Sequence, residues 1–193
     1  VSLRRTPFRI RTGGDADETR DHGINAGGRG LMEGFSVELS RLFARDITRL
    51  VQELRAFPDT DAVWRTAPGV TNAAGTLALH LEGNLREYVG RALGGIAYER
   101  DRPLEFSARG VERDELVRRV EAVRETIPGV IAGLGDRLDA AYPEPYDGAT
   151  ISNRQFLVHL LAHLNYHLGQ VDYLRRVSTG DGAIPLASLS SSA

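Results

Sequence analysis

The sequence predicts an all-α fold, a bundle of four helices, on three observations. Four segments place apolar residues at three- and four-residue spacing, the repeat of one helix face. No segment shows the apolar-polar alternation of a half-buried strand. The connections between the segments are about 10–17 residues long, longer than the tightest up-down bundles need, so at least one crossover connection is expected.

Composition sets the frame for these elements. With 193 residues, 41% hydrophobic and 26% charged, the chain suffices for one domain with a real core. The net charge of −2 gives no footprint for a nucleic-acid partner. All 24 basic residues are arginine, which fits a codon bias better than a binding surface. With no cysteine, disulfides and any thiol ligand or nucleophile from the chain itself are excluded. No apolar run reaches ~18 residues and no secretory h-region is readable, so no membrane span is expected and a cytoplasmic location is the default.

Residues 1–31 read as a disordered extension. They hold Gly13-Gly14, Gly27-Gly28, Gly30 and an acidic cluster (Asp15, Asp17, Glu18, Asp21), without periodicity; His22 stands alone there. Met32 is the only methionine, and the natural protein is expected to begin at it. Residues 32–178 form the bundle domain, and 179–193 a flexible, Gly- and Ser-rich tail.

The first helix is expected over about Glu33 to Arg55. Phe35, Leu39, Leu42, Phe43, Ile47, Leu50 and Leu54 form its stripe, with Arg41, Arg45, Arg49, Gln52 and Glu53 on the outer face. Phe57-Pro58-Asp59 stops it. A connection to Thr71 carries Trp64, read as a cap over one end of the bundle. The second helix runs from Asn72 to about Gly94, capped by Thr71 or Asn72, with Leu77, Leu81, Leu85, Tyr88 and Ala92 as its stripe. Gly83 and Gly90 weaken it by ~1 kcal/mol each relative to Ala and permit close helix contact. Residues 94–110 are a loop of mixed charge. The third helix spans about Arg113 to Leu138, with a kink or split expected at Pro128. The fourth covers about Ser152 to Val177.

The chemistry concentrates in that last helix. His159, His163 and His167 recur every four residues, and a step of four advances only ~40° around a helix, so they form one ridge. Leu160, Leu164, Leu168 and Val171 flank it. Neighbours rise ~6 Å along the axis and can share an ion, whereas the outer two, ~12 Å apart, cannot. At most two of these histidines therefore serve one metal, and a further ligand must come from another helix. A histidine near apolar neighbours is more often a packed side chain than a ligand, and that reading stays open. His80, with Asn84 one turn on, supplies the candidate from the second helix.

Several motifs are missing: His-Glu-x-x-His, Glu-x-x-His and any glycine-rich phosphate loop, which argues against a zincin, a ferritin-like di-iron centre and a nucleotide site. What remains is His80 with His163 and His167. Three neutral imidazoles suit zinc, nickel or another first-row divalent ion, with positions left for water or substrate, as in catalytic sites.

The segments Leu79-His80-Leu81-Glu82-Gly83-Asn84 and Ala162-His163-Leu164-Asn165-Tyr166-His167-Leu168-Gly169-Gln170 resemble the DinB/YfiT-like superfamily, the second being close to its His-x-x-x-His-x-Gly-Gln signature. The resemblance covers about Glu33 to Val177. It implies a four-helix bundle in up-down-down-up order with a divalent metal on three histidines, here His80, His163 and His167. Asn84 and Gln170 are candidates to orient the ligands or a water, since metal-bound imidazoles donate their other N–H to a partner, with helix capping or bundle hydrogen bonds as the alternative. His159 sits a turn too early for the ligand set and is carried as a candidate for a second site or for supporting the ligands, or otherwise as a packed histidine. Where the family often has arginine before the closing Gly-Gln, this chain has Leu168. Tyr88 and Tyr166 are read as core-edge aromatics.

Some members of the family transfer low-molecular-weight thiols, and many form dimers. A small-molecule thiol and an electrophile are thus the expected substrates and a homodimer the expected assembly. A thiol on the metal would lose its proton and attack the electrophile, and Arg86 or Arg102 would receive the thiol's carboxylates. The same site suits a hydrolase using metal-activated water, and a non-catalytic metal-binding stress protein is the third reading. No residue is assigned as catalytic.

Overall fold

The computed structural model describes residues 25–185, with side chains from residue 34 onward; expectations for residues 1–24, His22 among them, and for 186–193 fall outside that range. The apolar stripe of the first segment becomes α1 (Asn25–Arg55). Leu39, Phe43, Ile47, Leu50 and Leu54 are at most 2% exposed, each contributing about 1.5–3 kcal/mol by burial. Two expectations change here. The helix begins at Asn25 rather than near Glu33, so the boundary expected at residue 31 falls inside it; extending a helix that already exists needs no new nucleus, which offsets the weak propensity of its glycines. Glu53 is buried rather than on the outer face, because Arg175 neutralises it there.

The next connection contains a short helix, α2 (Thr60–Trp64), whose N-cap Asp59 accepts a hydrogen bond from the Ala62 amide at 2.8 Å. The Trp64 indole donates to the Val111 carbonyl (2.9 Å) and lies flat against Gly75, where a Cβ would meet the ring at 2.8 Å. Trp64 thus closes the N-terminal end of α3, in keeping with the expected cap.

α3 (Ala74–Leu85) is buried at every residue, including His80, Glu82 and Asn84. Its N-cap is Ala73, with no side-chain hydrogen bond, so neither Thr71 nor Asn72 caps it as expected. It continues into one π-helical turn over Arg86–Arg91. The expected loop at 94–110 holds another short helix, α4 (Arg102–Ser107), capped by Asp101 and with Pro103 in its first turn.

α5 (Arg113–Ala132) runs through Pro128 without interruption. The break lies further on, at Gly133 and Gly135 (φ +47°), and a 3-10 turn follows over Gly135–Asp139. Pro128 is accommodated where its carbonyl accepts from Ser40 Oγ of α1 at 2.7 Å. α6 (Asn153–Thr179) starts at the N-cap Ser152, which accepts from the Gln155 amide, and ends at Gly180 in the left-handed region.

Among the described residues the fold is all-helical, and its only β-pairings are two isolated bridges. None of those helices is long and apolar enough to cross a membrane. α1 packs along α5 and, less extensively, α6; α3 packs on α4, α5 and α6. The junction of α3, α4 and α6 is where the chemistry gathers.

Candidate metal centre

α3 delivers His80 from a helix surrounded by protein, and α6 delivers His163 and His167 from consecutive turns of one face. One ring nitrogen from each histidine lies within 4.8 Å of the other two. The rings meet edge to face. Their centroids are 5.1 Å (His80–His163), 5.3 Å (His80–His167) and 4.6 Å (His163–His167) apart, with planes at 83°, 89° and 89°.

The outer nitrogens are fixed by neighbours. His80 Nδ1 lies 3.0 Å from Glu105 Oε2. An ionised carboxylate only accepts, so Nδ1 carries a proton, and in the neutral ring that leaves the lone pair on Nε2. Arg100 grips the same carboxylate through Nε (2.6 Å) and Nη2 (2.9 Å). Burial alone would raise the Glu105 pKa; the hydrogen bonds from His80 and Arg100, with their charge, outweigh it and hold the group below the usual carboxylate range. His167 Nδ1 donates to Gln170 Oε1 at 2.7 Å, which frees its Nε2 in the same way. Burial also lowers the His167 pKa, against the Gln170 hydrogen bond. His163 Nδ1 is buried with no partner among the described residues.

His80 Nε2 and His163 Nε2 are 3.1 Å apart. With the His80 proton on Nδ1, the Nε2–H tautomer of a neutral His163 can donate across this contact, or both Nε2 lone pairs can face one cation. Burial, reinforced by His167, His80, His159 and Arg100, pushes the His163 imidazolium down to about 4, so the ring is neutral near neutrality and has one nitrogen lone pair to offer. Two nitrogens on a tetrahedral zinc at ~2.0–2.1 Å would sit about 3.3 Å apart. The residues present therefore fit a divalent ion.

The structure sorts the other expected residues. Gln170 contacts His167, as a second-shell residue would. Asn84 is buried, but its Oδ1 has no hydrogen-bond partner among the described residues. His159 turns away from the three: it stacks on Phe156 (6.0 Å, 10°), and its Nε2 is 3.3 Å from the Tyr146 hydroxyl. Arg86 pairs with buried Glu82 at 3.0 Å and is not poised for a ligand. Arg102 lies over the Phe106 ring, which in turn packs on His80 at 4.9 Å, so a cation stands at the rim. Tyr166 is 65% exposed rather than core-edge, while Tyr88 packs at the core margin as expected.

Glu105 and Arg100 were not anticipated from the sequence. Asp101-Arg102-Pro103 is a helix-start signal that reveals α4, but nothing local tells Glu105 from the other charges around it. Gly83 makes room for it: a Cβ there would stand 2.8 Å from Glu105 Cδ, too close for any real side chain.

A family model described as the DinB superfamily matches residues 42–171. Among solved structures, a DinB-like protein from Bacillus cereus ATCC 10987 matches with TM-score 0.57 and 18% identity, covering 74% of this chain and 93% of that one. At that identity the likeness concerns the fold alone. No curated protein matches the chain.

Proposed function

The chain belongs to the DinB superfamily, and from that premise we propose that it is a divalent-metal-dependent protein that activates a low-molecular-weight thiol for transfer to an electrophile. The observation that carries this reading is the convergence of one ring nitrogen from each of His80, His163 and His167 within 4.8 Å, with the outer nitrogen of His80 anchored on Glu105. His80, His163 and His167 are the proposed ligands, and zinc or nickel the proposed ion. When bound, the ion supplies Lewis acidity that favours the thiolate form of a coordinating thiol.

The protein's own part is positional. Glu105 and Arg100 hold His80 in one tautomer, and Gln170 does the same for His167. Phe106 shields the His80 face from water. Arg102 over Phe106 offers a cation to a carboxylate on the incoming thiol. The proposal extends to the up-down-down-up bundle order, a cytoplasmic location and a homodimer.

Elemental analysis of untagged protein tests the site. About one divalent ion per chain is expected, lost in both His80→Ala and His167→Ala. Metal retained in His80→Ala would move the site onto α6 alone. Metal-dependent consumption of a thiol in the presence of an electrophile tests the activity; a metal-loaded protein inert across a thiol panel would leave a binding protein and end the transferase reading.

A further inference from the structure

A cavity of about 420 Å³ lies between the α2–α3 connection and the C-terminal half of α6. Its apolar wall is Val70, Leu77, Leu174 and Val177, and Thr71, Asn72 and Tyr173 add uncharged polar groups. No Asp, Glu, Lys or Arg lines it. Ala67 and Gly69 complete the connection's side of the wall, and α6 adds Gln170. Its Oε1 is committed to His167 Nδ1, which leaves the amide NH2 as a donor.

From this arrangement we propose that the cavity is a binding site for an uncharged, mainly apolar small molecule that bears a carbonyl acceptor. Its ring or alkyl part packs against Val70, Leu77, Leu174 and Val177, and its carbonyl accepts from the Gln170 amide. The size is that of an ordinary small-molecule site, and a mostly apolar lining with few placed polar groups is the usual composition of one. A charged ligand is disfavoured, since it would leave water without a counter-charge in the wall. Because one Gln170 side chain touches both the cavity and His167, a bound carbonyl sits one residue from the histidine cluster. Binding itself needs no metal, so it stands or falls apart from the transferase reading.

The probe is prodan, a neutral naphthyl ketone whose emission moves to the blue in apolar surroundings and to the red when its carbonyl accepts a hydrogen bond. With full-length, metal-free protein, saturable binding with a blue-shifted spectrum is expected. Val70→Trp with Val177→Trp fills the cavity from two partly exposed positions (40% and 68%) and should weaken binding at least tenfold. Val158→Glu, elsewhere on α6 and 48% exposed, should not change it. Gln170→Leu should keep the binding but shift emission further to the blue, as the donor is gone. The anionic probe anilinonaphthalene sulfonate should bind at least tenfold more weakly. Equal binding by the Val70/Val177 double variant, or by the anionic probe, would place the probe on general apolar surface and overturn the assignment. Unchanged emission in Gln170→Leu would overturn the carbonyl contact.

Discussion

Two buried arginine–glutamate pairs share this interior and differ in where their polarity ends. Glu53 of α1 and Arg175 of α6 meet at 2.5 Å with side chains only 2% and 1% exposed. Arg175 turns its other nitrogen to Asp172 and to the Gly182 carbonyl. That pair is closed: it joins two helices and the segment after α6, and hands nothing on. Burial dominates there and raises the Glu53 pKa despite Arg175. Glu105 and Arg100 form the other pair, where donors win over burial and the carboxylate stays ionised. Its polarity continues through His80 to the cluster of ring nitrogens shared with His163 and His167. Buried charge that is fully paired marks architecture; buried charge that orients a cluster of ligand-type atoms marks a candidate site.

Breaking each pair should separate the two roles. The largest effect is expected from Arg175→Met, which strands Glu53 in the interior and should remove about 3–5 kcal/mol of stability, read by chemical denaturation. Metal content of the folded protein should be unaffected. A loss below about 1 kcal/mol would show that the closed pair is not a structural joint. Next comes Glu105→Gln, which keeps a carbonyl for His80 but discards the charge. Its metal affinity, measured by chelator competition, should fall about 10–100-fold. Wild-type affinity would sever the link between the open pair and the cluster.

A smaller change acts through space alone. Gly83→Ala improves helix propensity by about 1 kcal/mol but drives a methyl group into Glu105. Metal affinity should fall several-fold while the stability change stays small. Gly90→Ala, whose Cβ would meet Ile127 at 3.5 Å and the Leu85 carbonyl at 3.9 Å, both ordinary contacts, should leave the affinity unchanged. If the two behave alike, the space above Gly83 is not what seats the carboxylate.

The long helices were legible because 3.6-residue periodicity survives in one dimension: α1, α5 and α6 follow their stripes closely. That His80, His163 and His167 come together was legible from spacing and resemblance, since the i, i+4 rule called for a third histidine from another helix and His80 stood in the matching motif. Glu105 was not, because a carboxylate in a short, charge-rich segment looks like any solvated one until tertiary contact buries it. Glu53 misled for the same reason: charge is assigned to the outer face unless its partner, more than a hundred residues away, is known. α5 also runs on past Pro128, where proline's missing N–H and its ring predict a kink or split from sequence.

Protonation gives the finest test of the contrast. His163 titrates at about 4 in the fold, against about 6.5 for an ordinary imidazole. Between those values the unfolded chain binds a proton that the metal-free native protein refuses, so this histidine's contribution to stability is complete above pH ~6.5 and declines as pH falls toward ~4. Glu53 acts with the opposite sign. Its raised pKa means the native state takes up a proton before the unfolded chain does, so stability is gained as pH falls through its folded value. Denaturation of chelator-treated wild type across pH 7 to 4 should therefore show a loss of stability that His163→Gln flattens and Glu53→Gln steepens. The same slope in wild type and His163→Gln would mean that the cluster does not hold His163 neutral.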